Sequence, residues 1–215
     1  MKNFKNENIK IVYHGFVEII YQAAIIEDKG ITFAETYNII NNYEQSKNRI
    51  DRDKADIIVG LKRAYQYVID RANDDNPVIV YDIRHINKLI DFYEEDNAGK
   101  WRSDSVRIHG SSRIPTTLGT DGSISFVESK MKINSFEEGV ISLAKLCKQQ
   151  LFPNGNKRTG LCFTNLCLLK KDLPVIQVVD RAKYVEKLVN YYEDEGKLNE
   201  FVEFVKTESL GEENK

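Results

Sequence analysis

Helix breakers are scarce in this sequence: its 215 residues include only 4 Pro and 12 Gly. Such a chain favours long helices. Cysteine is scarce as well. Cys147, Cys162 and Cys167 are odd in number, show no CxxC spacing and sit among apolar neighbours. The expectation is buried free thiols in a reducing compartment rather than a disulfide framework. Histidine occurs only at positions 14, 85 and 109, so a His-rich metal cage is not expected. No apolar run approaches the roughly 18 residues a membrane-spanning helix needs. The stretch Met1 to Glu7 lacks the apolar segment of a secretory signal. A cytoplasmic protein with no membrane partner is therefore expected. Neither sign of charge is in excess: Lys+Arg is 31, Asp+Glu is 33, and the formal net charge is −2. That balance gives no bulk attraction to nucleic acid, so no nucleic-acid partner is expected.

What is present is ordinary globular composition, 41% hydrophobic and 30% charged. It argues against disorder and suits one domain, or one domain with an appended segment. Ile9, Val12, Phe16, Ile19, Ile20, Ala23 and Ile26 recur in steps of three and four and make one helical face. Thr32-Phe33-Ala34-Glu35 is a capping box that opens a short helix to about Asn42. The polar run Asn41 to Lys54 reads as a loop. Further helical faces run through Ile57 to Val68, ended by Asp74-Asp75-Asn76-Pro77, and through Ile83 to Tyr93.

The middle differs. Seven of the 12 Gly and two of the 4 Pro lie between Gly99 and Gly160. Ser105-Val106-Arg107-Ile108 and Ile124-Ser125-Phe126-Val127 alternate like short strands, which predicts a small β-hairpin. Ser135-Phe136-Glu137-Glu138 is a second capping box. After Pro153-Asn154-Gly155 the run Leu161 to Leu169 is apolar on nearly every side and predicts a central, buried helix. Two helices, Asp180 to Glu193 and Lys197 to Thr207, close the chain. The predicted class is all-α with a small β-hairpin flap. Residues 1–75 form an N-terminal helical lobe, 76–207 the core, and 208–215 a polar tail.

The run Gln150-Leu151-Phe152-Pro153-Asn154-Gly155-Asn156-Lys157-Arg158 is a tight loop feeding the start of that buried helix. Unpaired amides and the positive end of the helix dipole make an anion site there. Gly155 permits close backbone approach. Lys157 and Arg158 add full charges, and an Arg fork can hold two phosphate oxygens. Asn156 suits a helix cap or a phosphate donor. A surface turn with solvated Lys and Arg fits the same spacing.

This run resembles the signature of the Fic/Doc family, H-x-F-x-(D/E)-G-N-(G/K)-R, with the Lys-Arg-Thr ending closer to the Doc branch. Gly99 to Ile108 followed by Gly110-Ser111-Ser112 is similar to the family's target-docking flap. Leu166 to Leu173, with Asp180 to Tyr184, resembles the helix pair after the signature. The similarity covers roughly residues 80–205. It implies a helical fold that binds a nucleoside triphosphate such as ATP and, in most members, transfers AMP to a target hydroxyl. In that mechanism the His is the general base, the acidic residue holds Mg²⁺, and the Asn and Arg hold phosphates. A target protein would dock at Val106, Arg107 and Ile108.

The sequence departs from the pattern at both chemical positions. Gln150 stands where the His would be, and an amide cannot act as a base near neutrality. Loss of a positioned base costs roughly 10²- to 10⁴-fold. Asn154 stands at the acidic position, and an amide oxygen is a much poorer Mg²⁺ ligand than a carboxylate. The second Arg of many Fic signatures is Leu161 here. Nucleotide or phosphate contacts are thus expected from Asn154, Gly155, Asn156, Lys157 and Arg158, with no metal site.

Ala23 to Thr32 resembles a worn copy of the family's inhibitory helix, (S/T)-x-x-x-E-(G/N), keeping Glu27 but carrying Ala23 and Asp28. An exposed helix-end carboxylate is the plainer reading of Glu27. Ser209 to Asn214 fits the same letters, in a tail where fraying is expected. His109, beside Gly110, is the one alternative base within the flap, while His85 reads as structural. The resulting expectation is a nucleotide- or phosphate-binding module with weak or no transfer. The alternatives are a transferase with non-standard catalysis and a toxin–antitoxin-like component.

Overall fold

The computed structural model describes residues 3–27, 29–46, 49–94 and 96–211. The N-terminal part contains α1 (Glu7–His14), α2 (Phe16–Ala24), α3 (Phe33–Asn41), the short α4 (Tyr43–Ser46) and the long α5 (Arg52–Asn73). Then come α6 (Val80–Ile90), α7 (Gly119–Lys130), α8 (Phe136–Gln149) and α9 (Asn156–Lys170). α10 (Arg181–Glu193) and α11 (Leu198–Leu210) close the chain, joined by a 3-10 turn at Glu195–Lys197.

α9 is the axis of the fold. Every residue from Arg158 to Leu169 is buried, which explains its nearly uniform apolar circumference. It packs against α8, α5 and α6 and also touches α2. Its buried Asn165 is satisfied, donating to the Tyr65 hydroxyl (3.2 Å) and accepting from the Ile176 amide (2.9 Å). The apolar side chains form one continuous cluster from Ile9 to Val205. Cys147, Cys162 and Cys167 lie inside it, and burial pushes each thiol up to about 12.

Several expectations are corrected. Among the described residues there is no strand, so the β-hairpin flap is absent. Ile124-Ser125-Phe126-Val127 lies within α7, where Val127 is fully buried and Phe126 partly so. Ile124 and Val127 also stand three apart, and four alternating residues satisfy both periods. Deprived of a pairing strand, Ser105 to Ile108 crosses the surface as irregular chain. The first helical face is split in two at Gly15. The polar run after Asn41 holds α4 and the start of α5, whose N-cap Asp51 accepts from the Lys54 amide (3.3 Å).

The Thr32 capping box forms with both arms in place. The one at Ser135 forms by half: Ser135 caps the Glu138 amide (3.1 Å), but the Glu138 carboxylate accepts from the Asn134 amide (2.7 Å). No helix among the described residues is long and apolar enough to cross a membrane.

Gly60 sets how closely α5 approaches α6. A Cβ there would lie 2.3 Å from the Ile90 carbonyl oxygen, a backbone atom at the end of α6 that cannot turn aside. Gly60→Ala is therefore expected to cost about 1–3 kcal/mol as the helices separate. Urea denaturation checks this, and an unchanged midpoint would show that α6 shifts freely.

Candidate functional site

α8 ends at Gln150, which takes the left-handed conformation (φ 52°, ψ 66°). Its side chain folds back and donates to the Cys147 carbonyl (2.6 Å), satisfying one of the open carbonyls at the helix end. The loop then buries Leu151 and Phe152, and the Phe152 ring stacks on Trp101 with centroids 5.0 Å apart. Asn156 clamps that turn. Its side chain accepts from the Phe152 amide (2.8 Å) and donates to the Phe152 carbonyl (2.7 Å). The Asn156 side chain thus staples the loop.

Asn154 is also occupied. Its Oδ1 accepts from the Gly155 amide (2.8 Å), and its Nδ2 donates to Asp91 Oδ1 (2.8 Å) and faces the Tyr93 hydroxyl (3.4 Å). Asn87 supports the loop from α6, donating to the Asn154 carbonyl and the Thr159 hydroxyl, both at 3.0 Å. Gly155 has φ 71°, and a Cβ there would press on Ile90 at 3.3 Å, so the turn requires glycine.

α9 starts at Asn156, and the amides of its first turn have no acceptor within the helix. Lys157 lines the cleft in front of them. Arg158 is only 2% exposed. Its Nε donates to Glu27 Oε1 (3.1 Å), and its Nη1 has no hydrogen-bond partner. Glu27, which the resemblance places in an inhibitory helix, therefore meets Arg158, while Leu161 is buried within α9. Asp28, the worn position beside it, lies outside the described residues, as does the end of the Ser209 to Asn214 pattern.

The cleft measures about 510 Å³. Its floor is the loop from Gln150 to Lys157, and Glu27 and Lys29 stand at one side. Val106, Arg107, Ile108 and His109 form a wall, and Arg181 with the Val185 to Tyr192 face of α10 also lines the cleft. Ile108 is buried, Val106 half-buried and Arg107 exposed. Beyond the wall, Glu193 at the end of α10 accepts from the Ser112 amide (2.7 Å), the Ser112 hydroxyl (2.6 Å) and the Ser111 hydroxyl. These donors hold the Glu193 carboxyl down at about 2.

No family model matches the sequence, and none of the curated proteins does. Solved structures do match. Fic-1 (residues 134–508) from C. elegans superposes with a TM-score of 0.71 at 18% identity, covering 94% of this chain and 62% of that one. A Fic domain containing signalling protein from Bacteroides thetaiotaomicron VPI-5482 gives 0.67 at 18% identity, covering 97% and 87%. A Fic family protein from Desulfovibrio desulfuricans G20 gives 0.70 at 16% identity, covering 91% and 62%. This chain has the Fic fold. It spans 62% of the length of the Fic-1 structure, so likeness to that protein covers the shared fold and not its remainder.

Within the Fic fold, two residues shape the site that the sequence reading passed over. Asp91, 2% exposed, lies behind Asn154 and fixes its orientation. Burial pushes its carboxyl up, against the opposing influence of Tyr93, Arg158 and Asn154. Nothing in its surroundings marked it out, because it closes the helical pattern that ends near Tyr93. Arg102, 6% exposed, ties the wall to the loop: its amide donates to the Leu151 carbonyl (3.0 Å) and its Nε to the Gln150 carbonyl. Its place within the flap-like segment was visible, but its burial was not. His109 shares the cleft, whereas His85 stacks on Tyr81 on α6.

Mg²⁺, which the resemblance implies, does not fit the donors present. Asn154 has both side-chain atoms engaged, and Glu27 is paired with Arg158. Among the described residues no group of three or more His, Cys, Asp or Glu is placed to hold a metal ion.

Proposed function

We propose that this Fic-fold chain is a nucleotide- or phosphate-binding module that acts by association, with weak or no AMP transfer. The observation that carries this reading is the condition of the two positions where chemistry is expected. The Gln150 amide is turned back onto the Cys147 carbonyl, and Asn154 is locked between Asp91 and Gly155. Neither presents a base or an anionic ligand to the cleft. The phosphate-binding elements are retained: the open first turn of α9, with Lys157 in front and Arg158 beneath. Phosphate oxygens would lie against the amides of Asn156 and Lys157, with Arg158 in contact once Glu27 yields.

Calorimetric titration with ATP tests this. Arg158→Ala is expected to weaken binding at least about tenfold, as loss of a charge-assisted pair should. Glu27→Gly is expected to tighten it, because the carboxylate competes with phosphate for the same guanidinium. Equal affinity in wild type and Arg158→Ala, with the variant folded, would end the assignment.

One observation favours a second reading. His109 lines the same cleft and is the one imidazole there, so a non-standard transferase is the competing function. Labelled-nucleotide transfer by the unaltered chain, lost in His109→Ala, would establish that reading in place of the first.

A further inference from the structure

We propose that the cleft holds its polyphosphate ligand without a divalent metal, side-chain cations taking over the neutralisation of charge. This rests on the binding reading above and adds to it the electrostatic form in which the ligand is taken.

The donor set argues against a metal. Mg²⁺ requires near-octahedral oxygen ligands and is ordinarily anchored by one or two carboxylates together with substrate phosphates. Among the described residues that line the cleft, Glu27 is the one carboxylate, and its Oε1 accepts from Arg158 Nε at 3.1 Å. Asp91 is the carboxylate nearest the loop, but it is 2% exposed and faces the Asn154 amide from behind. Asn154 offers an amide in place of an anion, and its Oδ1 already accepts from the Gly155 amide at 2.8 Å.

The cations argue for the replacement. Lys29, Arg107 and Lys157 line the cleft, where Glu27 is the one carboxylate among the described lining residues, in a chain whose formal net charge is −2. Lys29 also meets Asp53 at 3.1 Å, a half-exposed contact of the kind solvent weakens. Beneath them lies the Arg158 guanidinium, between Glu27 and the loop; a Cβ at Gly155 would sit 3.7 Å from its Nη2. Its Nη1 is buried and unpartnered, at a cost that an incoming phosphate oxygen would remove. The open amides at the start of α9 point to the same place. An Mg²⁺ ion chelated to the phosphates would lower their charge, and so weaken their attraction to these cations.

The test is titration of ATP and of inorganic triphosphate into the full chain, once in EDTA and once in millimolar Mg²⁺. Affinity in EDTA is expected to equal or exceed that in Mg²⁺, by up to about tenfold for charge-dominated binding. Arg107→Ala is expected to lower the EDTA affinity about threefold, an effect suited to an exposed cation. Triphosphate binding as tightly as ATP would support the proposal with the phosphate chain alone as ligand. Tighter ATP binding would support it with a nucleotide as ligand. Binding that requires Mg²⁺ would overturn this proposal and leave the binding function standing. Absence of binding in both solutions would overturn both.

Discussion

Replacing Arg102 with Ala is expected to destabilise the chain by about 3–5 kcal/mol, the range for breaking a buried charged network. The magnitude follows from the number of groups one side chain satisfies. Besides the Gln150 carbonyl, its Nη1 donates to the Asp104 carbonyl (2.7 Å) and the Thr117 hydroxyl (2.8 Å). Nη2 donates to the Pro115 (2.9 Å) and Thr116 (3.1 Å) carbonyls. None of these partners is a carboxylate, so a buried cation is solvated by neutral oxygens. Burial lowers its pKa, but an arginine stays protonated throughout the working range. Alanine would leave those oxygens without their donor and free the wall of the cleft. Arg102→Lys should recover less than half of the loss, because one ammonium cannot reach oxygens arranged around a fork. Urea denaturation measures the stability, and limited proteolysis between Ser103 and Thr117 reports the freed segment. An alanine variant with wild-type midpoint and protease resistance would refute the role.

Asn154→Asp is expected to cost about 2–4 kcal/mol at neutral pH, because it faces one carboxylate with another. The present contact is an amide donating to Asp91 Oδ1 at 2.8 Å. Two carboxylates at that distance must share a proton, which raises the folded-state pKa of the pair above the unfolded value. The folded state then binds more protons than the unfolded state, so stability falls as pH rises. The penalty should accordingly shrink as pH is lowered from 7 toward 5. The exchanged pair Asn154→Asp with Asp91→Asn restores one donor and one acceptor and should regain most of the loss. A double-mutant cycle measures that coupling, expected at about 2 kcal/mol or more. Additive effects would show that the two side chains act independently. Rebuilding a catalytic signature here is therefore a three-position problem: Gln150→His and Asn154→Asp should give no transfer while Asp91 remains a carboxylate.

The parts of this molecule that were legible in its sequence are those governed by neighbours along the chain. The Thr32 cap, the break at Pro77, and the buried run after Gly155 follow from local spacing, and the structure contains them. The strand expectation at Ile124 to Val127 failed because so short a run fits either period, and packing against α6 and α8 decided for helix. The loop from Gln150 to Arg158 was legible as a tight turn feeding α9. What its side chains do was not. Asn154 is oriented by Asp91 from the end of α6, Arg158 is met by Glu27 from beyond α2, and Gln150 is held partly through Arg102. Each partner lies far away in sequence; Glu27 was marked by the inhibitory-helix resemblance of Ala23 to Thr32, whereas Asp91 and Arg102 had no neighbouring pattern that announced the contact.

The three cysteines have a practical consequence. Reagents that alkylate thiols attack the thiolate, and these sulfurs are both enclosed and held at about 12. The folded molecule is thus chemically silent toward such reagents without any cysteine having to be removed. One new cysteine at exposed Arg107 would be a unique attachment point on the rim of the cleft, at the roughly threefold cost in affinity expected for losing that cation. A fluorophore or spin label placed there would report ligand entry from a chain otherwise in its natural form.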